Sequence, residues 1–539
     1  MVRAGARLSS VIVIVLAVVS CNQQSSQQGV VPQTAKDTLV IAESAIPTSF
    51  DSDFIGNSSG SLEATENFTD PLVSFKTQTN ANGTLSTDYA SQVPFLAQSY
   101  MPSADGLTWN FILRQGVKSP NGNELTSADV QYMIARSYAL NGGACAGFEL
   151  GVSQVDKNNP ITVSDKYSFA IHLTSPSPLL PVAFGALPSC SIFDSTEMKK
   201  NATASDPWSR AWAATNTAGF GPYTVASNLP GQETDWVANP NYWQGPPKFK
   251  KIVIKNVPDP STRLALLERG AVDIAEDLTT RQYSEAAGKN GLAVDNQSGN
   301  QGLILGWNNA VPPLDNATFR QALNYALPTN AIISSVFLGA AGVKVASGYI
   351  PAGYPGQLDA WPYPQNDAKA KALLAQSGVN LSTPIQLSYS TDQSADQQVA
   401  TLIKSHLAQL GVTIELNGLS TAAYAQEFYS RKAQAILVHD APWVVDGPYV
   451  LDLYFSPIGT GNWVNFKNSA VTSILNQATA AQSPDVRASL TKQADQLIVN
   501  EAPWGFYLQV GNQLAHLQDV KGYVWRSTSL LRYGDIYKT

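Results

Sequence analysis

The chain has 539 residues, of which 44% are hydrophobic and 14% are charged, and its formal net charge is −7. This length exceeds that of one ordinary domain, and the apolar residues, 11 tryptophans among them, suffice for packed cores. We therefore expect a globular protein of two or three lobes. A weakly charged, acidic chain has no basic surface for phosphates, which argues against nucleic acid as a partner.

The N-terminus has the pattern of a secretory signal. Two arginines precede the apolar run LSSVIVIVLAVVS, and Cys21 follows the run at once. The run is too short for a membrane span, which takes about 20 apolar residues. Val18-Val19-Ser20-Cys21 resembles the cleavage box of bacterial lipoproteins. We predict a signal peptide at 1–20, a lipid anchor on Cys21 and a flexible tether at 21–36, the alternative being a secretory signal with a chance cysteine.

The other cysteines and the histidines bear on disulfide, metal and catalytic chemistry. In an oxidising compartment the remaining even pair favours a disulfide between Cys145 and Cys190. Two isolated thiols stay open as the alternative, because the sequence does not give the distance between the Cα atoms. The four histidines are scattered without ligand spacing, so we predict no metal site and no cofactor. Nucleophile-elbow, Walker and dinucleotide motifs are absent from the sequence, which argues against an enzyme.

The first half of the chain is predicted to be rich in strands. Alternating apolar residues and Gly, Pro and Asn turns predict strands at 38–43, 107–116, 161–174, 219–243 and 249–259. Helices are predicted at 62–71, 126–140 and 260–270. Thr126 is the expected N-cap of the second of these helices, with Asp129 in its first turn, and Gly270 is the expected end of the third.

The second half alternates strands and helices. The predicted strands are at 302–309, 384–391, 412–419, 434–441 and 504–511, and the predicted helices are at 316–327, 396–411 and 483–503. This alternation predicts an α/β architecture with largely parallel sheets. The last strand follows a long α/β segment, so we expect the C-terminus to return to an earlier sheet. At least two strands would then cross between lobes as a hinge.

Residues 96–138 resemble the signature region of the family-5 extracellular solute-binding proteins, the oligopeptide, dipeptide and nickel receptors of ABC importers. The matching elements are Asp105-Gly106-Leu107-Thr108, Leu113-Arg114-Gln115-Gly116-Val117 and Leu125-Thr126-Ser127-Ala128-Asp129-Val130. Three further blocks follow in the family's order, at 219–275, 308–327 and 520–525. The resemblance covers about residues 38–535 of the chain.

The resemblance implies an α/β, two-lobed periplasmic-binding-protein-like fold of the large type II variant, with an extra domain inserted in the first lobe. The segments that it assigns are 37–71, 199–299 and 504–539 for lobe I, 72–198 for the extra domain, and 300–503 for lobe II.

The resemblance also implies a ligand-binding acid. Peptide-binding members place the carboxylate of a Gly-Trp-x-x-Asp segment against the peptide's α-ammonium group, and Trp443-Val444-Val445-Asp446 matches all but the Gly, which Pro442 replaces. Such a carboxylate forms strong bonds with an ammonium in a closed cleft, and Trp443 offers an aromatic wall. The alternatives are that Asp446 caps a turn before Gly447-Pro448, that Asp440 fills the site, or that Trp443 packs in the core. Further candidate contacts are Tyr424, Trp463, Asn465, Tyr507 and Asn57.

The function implied is that of a receptor and not an enzyme. We expect a monomer, anchored by lipid at Cys21 in the periplasm or on the outer face of the cytoplasmic membrane. It would capture a peptide between its lobes and deliver it to the permease subunits of an ABC importer. An oligosaccharide receptor is the alternative, because the tryptophans and the many Asn and Gln residues suit sugar faces. A secreted hydrolase or a sensory binding protein is the alternative of another class.

Overall fold

The computed structural model describes residues 35–54, 58–141, 143–186, 188–297, 299–340, 342–393, 395–457 and 459–539. The predicted signal peptide at 1–20, the anchor Cys21 and the candidate contact Asn57 lie outside these residues. Within the described ranges, none of the helices combines the length and the apolar character that a membrane crossing requires.

The described elements alternate between strands and helices along most of the chain. The strands are β1 (Thr38–Glu43), β2 (Val73–Thr79), β3 (Leu85–Pro94), β4 (Ala97–Pro102), β5 (Thr108–Leu113), β6 (Ile161–Val163), β7 (Ser168–His172), β8 (Tyr223–Leu229), β9 (Glu233–Ala238), β10 (Lys251–Asn256), β11 (Ile274–Ala275), β12 (Leu292–Gln297), β13 (Gly302–Trp307), β14 (Lys344–Val345), β15 (Ile385–Ser390), β16 (Ile414–Leu419), β17 (Ala435–Asp440), β18 (Trp504–Gln509), β19 (Asn512–Leu517), β20 (Val520–Lys521), β21 (Val524–Trp525) and β22 (Tyr537–Lys538). The α-helices are α1 (Ser59–Phe68), α2 (Ser127–Leu140), α3 (Leu179–Ala186), α4 (Ser195–Lys200), α5 (Arg210–Ala213), α6 (Pro260–Glu268), α7 (Thr280–Ala287), α8 (Ala317–Tyr325), α9 (Thr329–Ser335), α10 (Asp367–Ser377), α11 (Asp396–Gln409), α12 (Thr421–Ser430), α13 (Gly447–Phe455), α14 (Ser469–Ala480) and α15 (Pro484–Glu501).

A seven-stranded sheet of order β12-β19-β11-β1-β10-β9-β8 forms the core of the first lobe. Successive side chains of β1 point to opposite faces, and both faces are covered. Leu39 and Ile41 belong to one buried cluster, and Val40 and Ala42 belong to another. A strand buried on both faces has an apolar residue at almost every position, which explains the run TLVIA.

A six-stranded sheet of order β14-β18-β13-β17-β15-β16 forms the core of the second lobe. Its central strand β13 is also covered on both faces. Leu303 and Leu305 pack in one cluster, whereas Ile304 packs in the other with Tyr507 of the neighbouring strand β18. The two sheets therefore give each lobe its own core, as expected for a two-lobed α/β fold.

The prediction of largely parallel sheets is wrong. In the first-lobe sheet the parallel pairs join β1 to β10 and β11, and in the second-lobe sheet they join β15 to β16 and β17. Every other pair of described strands in these two sheets is antiparallel. Strands β8, β9 and β10 follow one another as hairpins, which pair antiparallel, and β18 and β19 return from the C-terminal end of the chain.

The extra domain contains a four-stranded sheet of order β4-β5-β7-β6 and the pair β2-β3, to which β21 adds a third strand. Helix α2 packs on the four-stranded sheet, and the Asp129 carboxylate accepts from the Thr126 N–H at 2.7 Å, so the predicted cap is present. Cys145 and Cys190 form a disulfide across 45 residues of sequence. A crosslink that closes a loop of this length stabilises a fold by roughly 4 kcal/mol in the chain-entropy model.

The predicted boundary between the lobes at residue 504 is wrong. Strand β18 (Trp504–Gln509) pairs with β13 and β14 and belongs to the second-lobe sheet, not to lobe I. The chain returns to the first-lobe sheet only at β19, which pairs with β11 and β12. The all-buried pattern of β18 fits either central sheet, because the sequence of a buried strand does not specify its partners.

Candidate functional site

Two short stretches of chain join the lobes, one between β12 and β13 and one between β18 and β19. Hydrogen bonds fasten the two stretches to each other. The Val510 N–H donates to the Gln301 carbonyl at 2.9 Å, and Gln509 Nε2 donates to the Gly299 carbonyl at 3.0 Å. Two adjacent crossing stretches of this kind form a hinge, because a few backbone torsions there can turn one lobe against the other.

A cavity of about 210 Å³ lies where this hinge meets the ends of β1 and β11. We call it the hinge cavity, and it is lined by Glu43, Glu63, Glu276, Asp277, Gln301 and Asn512 together with residues 528–531. Ligands of open α/β sheets bind beyond the carboxyl ends of parallel strands, where neighbouring connections diverge. The hinge cavity occupies that position in the first lobe.

Strand pairing brings the acids of the hinge cavity together. Strands β1 and β11 are parallel, with Ile41 opposite Ile274 and Ala42 opposite Ala275. The residues that follow, Glu43 and Glu276, therefore end two neighbouring strands at the same edge. Glu63 reaches them from α1, and one carboxylate oxygen from each of the three glutamates lies within 4.8 Å of the other two.

Burial and mutual repulsion keep these acids from ionising at their ordinary pH. Burial raises the pKa of Glu63 to about 7, although hydrogen bonds from the Tyr533 hydroxyl at 2.6 Å and the Leu531 N–H at 2.9 Å act against the rise. Burial, followed by repulsion from Glu63, raises the pKa of both Glu43 and Glu276. Glu43 Oε1 is buried and has no hydrogen-bond partner among the described residues. The cluster therefore has unused capacity to accept hydrogen bonds or to bind a cation.

A second cavity, also of about 210 Å³, lies between the extra domain and the C-terminal segment. We call it the arginine cavity, because Arg526 and Arg532 line it. Both guanidinium groups have acidic partners, at 2.8 Å to Asp535 and 2.6 Å to Asp70 respectively. Thr528 lines both cavities, and its buried hydroxyl has no hydrogen-bond partner among the described residues.

Asp446, the acid that the sequence predicts as the ammonium receptor, has protein partners on both carboxylate oxygens. It is the N-cap of α13, where Oδ1 accepts from the Tyr449 N–H at 3.0 Å. Oδ2 pairs with Arg487 Nη2 at 2.6 Å, and both side chains are largely buried. The capping role, which the sequence left open as an alternative, is therefore the one observed.

Trp443 is the predicted contact that the structure brings to the boundary between the lobes. Its ring packs against Leu62 of α1 and Leu530 of the C-terminal segment, both in the first lobe. The Ser527 hydroxyl donates to the Trp443 carbonyl at 2.5 Å. The loop before α13 therefore closes against residues that adjoin the hinge cavity.

Tyr424 and Asn465 have structural hydrogen bonds within the second lobe. The Tyr424 hydroxyl donates to the Leu437 carbonyl at 2.7 Å, which fastens α12 to β17. Asn465 Nδ2 donates to the Arg431 carbonyl at 2.9 Å, at the end of α12. These contacts place both side chains in the scaffold of the second lobe and away from both cavities.

Trp463 and Tyr507 lie in the core of the second lobe. Trp463 stacks on Trp504 with ring centroids 5.6 Å apart, and the Tyr507 hydroxyl donates to the Asn300 carbonyl at 2.6 Å. Asp440, the alternative acid, ends β17 and accepts from the Ala441 N–H at 2.8 Å. Burial raises the pKa of Asp440.

Sequence reasoning missed the acids of the hinge cavity, although one signal for them was available. The tripeptide Ile-Ala-Glu occurs twice, at 41–43 in a predicted strand and at 274–276, shortly after the helix predicted at 260–270. Two buried parallel strands that end in the same acid place two carboxylates at one edge of a sheet. Carboxylate oxygens alone suit hard cations and organic ammonium groups, so this edge is suited to positive charge.

Known proteins resemble this chain along most of its length. The family model of bacterial extracellular solute-binding proteins, family 5 middle, matches residues 91–462. The probable D,D-dipeptide-binding periplasmic protein DdpA of Escherichia coli is 27% identical over 496 residues, which are 91% of this chain and 92% of DdpA. Heme-binding protein A of Haemophilus influenzae is 27% identical over 527 residues, which are 91% of each chain.

The fold is shared with solved structures. The ABC transporter-associated periplasmic binding protein DppA of Helicobacter pylori, solved in complex with the peptide STSA, superposes with a TM-score of 0.77 at 22% identity. The match covers 93% of this chain and 98% of DppA. Because the family model spans more than half of the sequence, the chain belongs to the family-5 bacterial extracellular solute-binding proteins, which are binding receptors and not enzymes.

Proposed function

We propose that this protein is a lipid-anchored receptor that captures a peptide between its two lobes and delivers it to the permease of an ABC importer. The observation that carries the proposal is the hinge cavity, which opens beside the two crossing stretches and adjoins the contact of Trp443 with the first lobe. The names of relatives support peptides as the ligand class, since one is called D,D-dipeptide-binding and another was solved with a peptide.

Closure of the lobes would exclude water from the captured ligand. Rotation about the hinge would separate Trp443 from Leu62 and Leu530, so this contact belongs to the closed form. A ligand that touches both lobes favours closure by its difference in affinity for the closed and open forms. The closed form would then be the one that docks on the permease.

Thermal denaturation of the purified protein with a panel of short peptides and oligosaccharides tests the ligand class. A ligand present at 100 times its dissociation constant adds about 2.7 kcal/mol to the free energy of unfolding. We expect peptides to raise the melting temperature and oligosaccharides to leave it unchanged. A rise with oligosaccharides alone would reject the peptide proposal and favour a sugar receptor.

The anchor has a separate test. We expect the wild-type protein to fractionate with membranes and a Cys21→Ser variant to appear in the soluble extracytoplasmic fraction. Incorporation of radiolabelled palmitate into the wild type alone would support acylation at Cys21. Equal fractionation of the two proteins would reject the lipid anchor and leave the receptor proposal unaffected.

A further inference from the structure

The acids of the hinge cavity outnumber the charges that neutralise them. Glu43, Glu63, Glu276 and Asp277 line the cavity, and none of the described residues that line it is Lys, Arg or His. Arg263 is the cation that acts on Glu276, but its guanidinium group lies behind the cavity wall. There it donates to four main-chain carbonyls, those of Val257, Pro258, Glu276 and Asp277.

One acid of the cluster has unsatisfied capacity. Glu43 is 4% exposed, lines the cavity, and has no hydrogen-bond partner for Oε1 among the described residues. Leaving a buried acceptor without a hydrogen-bond partner has a free-energy cost, which is larger for a charged group. A positively charged hydrogen-bond donor that enters the cavity would remove this cost, and it would also reduce the repulsion among the carboxylates.

We propose that the hinge cavity binds a positively charged ammonium or guanidinium group of the captured solute, with Glu43, Glu63 and Glu276 as its receptor. This inference rests on the proposed function, because it assigns one end of the ligand that the lobes enclose. It also moves the cation site away from Asp446, which Arg487 already neutralises, and into the first lobe.

The size and position of the cavity favour an organic cation over a metal ion. A volume of about 210 Å³ holds a cationic group with several further atoms. In a Ca²⁺ site, by contrast, the oxygen ligands surround the ion at roughly 2.3–2.6 Å and leave no such space. Gln301, from one crossing stretch, and Asn512, at the start of β19, add amide groups to the wall. A solute bound here would therefore touch the hinge itself, where contact with both lobes is possible.

Binding of a cation would release protons. The groups that face the cluster are the carboxylates of Glu43, Glu63, Glu276 and Asp277, the guanidinium of Arg263, and the phenols of Tyr283, Tyr523 and Tyr533. The pKa of Glu63 is raised to about 7 by burial, and a nearby cation lowers the pKa of a carboxyl group. Affinity is therefore expected to rise with pH through 7 and to fall as the pH drops below it.

The test compares matched probes by thermal shift and calorimetry at pH 8, above the pKa of about 7 that burial gives Glu63. The probes are putrescine, agmatine, Ala-Ala-Ala, N-acetyl-Ala-Ala-Ala and CaCl₂. We expect at least one amine probe to bind with proton release. Acetylation should lower the affinity of the tripeptide at least tenfold, and Glu43→Gln should lower the affinity for the amine probe at least tenfold. Glu276→Gln, at a more exposed acid, provides a second variant if Glu43→Gln does not fold.

Glu149→Gln is the matched control. Glu149 is a buried acid of the extra domain whose pKa burial raises to about 8, and it lines neither cavity. We expect this variant to bind the amine probes with the affinity of the wild type. Equal losses in Glu43→Gln and Glu149→Gln would overturn the inference, because the effect would then come from the removal of any buried charge.

Other outcomes separate this inference from the peptide proposal. Equal binding of the free and acetylated tripeptides overturns the cation site and leaves the peptide receptor standing. Binding of putrescine or agmatine that depends on Glu43, with no peptide binding, supports the cation site and rejects the peptide. If CaCl₂ alone stabilises the protein and Glu43→Gln abolishes that effect, the cluster is a metal site and the inference is overturned. The inference is also overturned if none of the amine probes binds.

Discussion

Each lobe buries acids near the boundary between the lobes, and the two lobes neutralise them differently. In the second lobe, Asp446 has the guanidinium of Arg487 at 2.6 Å and the N-terminus of α13. In the first lobe, Glu43, Glu63 and Glu276 lie together, and none of the described residues that line their cavity is a cation, although Glu63 accepts from the Tyr533 hydroxyl and the Leu531 N–H. Both oxygens of Asp446 therefore have protein partners, whereas Glu43 Oε1 has no hydrogen-bond partner among the described residues.

The largest expected effect comes from the removal of Asp446, the acid that already has partners within the protein. Asp446→Ala is expected to lower the free energy of unfolding by about 3–5 kcal/mol, because it leaves the Arg487 guanidinium buried without its partner. Loss of the helix cap accounts for about 1 kcal/mol of that total. Urea denaturation measures the change, and Asp446→Asn, which can still cap the helix, is the control that isolates the charge.

A loss of less than about 1 kcal/mol in Asp446→Ala would mean that the ion pair contributes little, as exposed pairs do. Asp446 would then be free enough to serve a ligand, and the contrast between the two lobes would disappear.

The acid cluster of the first lobe predicts that the free energy of unfolding falls as the pH rises. The pKa of Glu63 is raised to about 7 in the folded protein from 4.5, so the folded state holds a proton that the unfolded state has lost. Its contribution is complete below pH 4.5 and disappears as the pH rises through 7, a change of roughly 3 kcal/mol. Denaturation of the ligand-free protein between pH 5 and 9 measures it.

The control for this prediction is Glu63→Gln, which cannot titrate. We expect the variant to show a smaller decline than the wild type. The remainder is due to other buried acids whose pKa values are raised, among them Glu43, Glu276, Glu149 and Asp495. Identical profiles for the two proteins would contradict the assignment of the proton to the cluster.

Glu43→Gln is expected to raise the free energy of unfolding of the ligand-free protein, whereas Asp446→Asn is expected to lower it. At pH 8 the unfolded chain ionises Glu43, whereas burial and repulsion from Glu63 oppose its ionisation in the folded protein. Glu43→Gln removes this cost while it keeps the shape of the side chain. We expect a gain of about 1 kcal/mol, the equivalent of one pKa unit, measured by chemical denaturation. A loss of stability would show that Glu43 is already satisfied without a ligand.

The smallest expected effect concerns the contact of Trp443 in the second lobe with the first lobe. Trp443→Ala removes apolar contact with Leu62 and Leu530, which favours the open form by roughly 1 kcal/mol. We expect a larger radius of gyration by solution scattering and a severalfold weaker ligand affinity. Trp443→Phe, which keeps most of the apolar area, should behave as the wild type, and an unchanged radius in Trp443→Ala would show that this contact does not control closure.

Local elements of the fold were predictable because their signals lie within the element. The apolar run of β1 and the cap formed by Thr126 and Asp129 at the start of α2 are examples. Helix α13 carried similar signals, since Asp446 is a favoured N-cap residue and Pro448 suits the first turn of a helix. The same residues also match a ligand-binding motif, and the sequence alone does not distinguish that motif from the start of a helix.

Strand direction and the acid cluster were not predictable in the same way. Glu43 and Glu276 are adjacent only because β1 and β11 pair, and Glu63 joins them only because α1 packs at that edge. The sequence shows which strands are buried but does not name their partners. The same limit placed β18 in the wrong lobe, since a strand buried on both faces fits the centre of either sheet.

The late position of β18 and β19 has a consequence for the order in which the molecule is built. Strand β18 lies between β14 and β13 in one sheet, and β19 lies between β12 and β11 in the other. Neither lobe has a complete sheet until residues 504–517 have left the ribosome. A chain that ends before β18 would leave unpaired strand edges in both lobes at once, and such edges promote aggregation. The central sheets of both lobes are therefore completed only when synthesis is nearly finished.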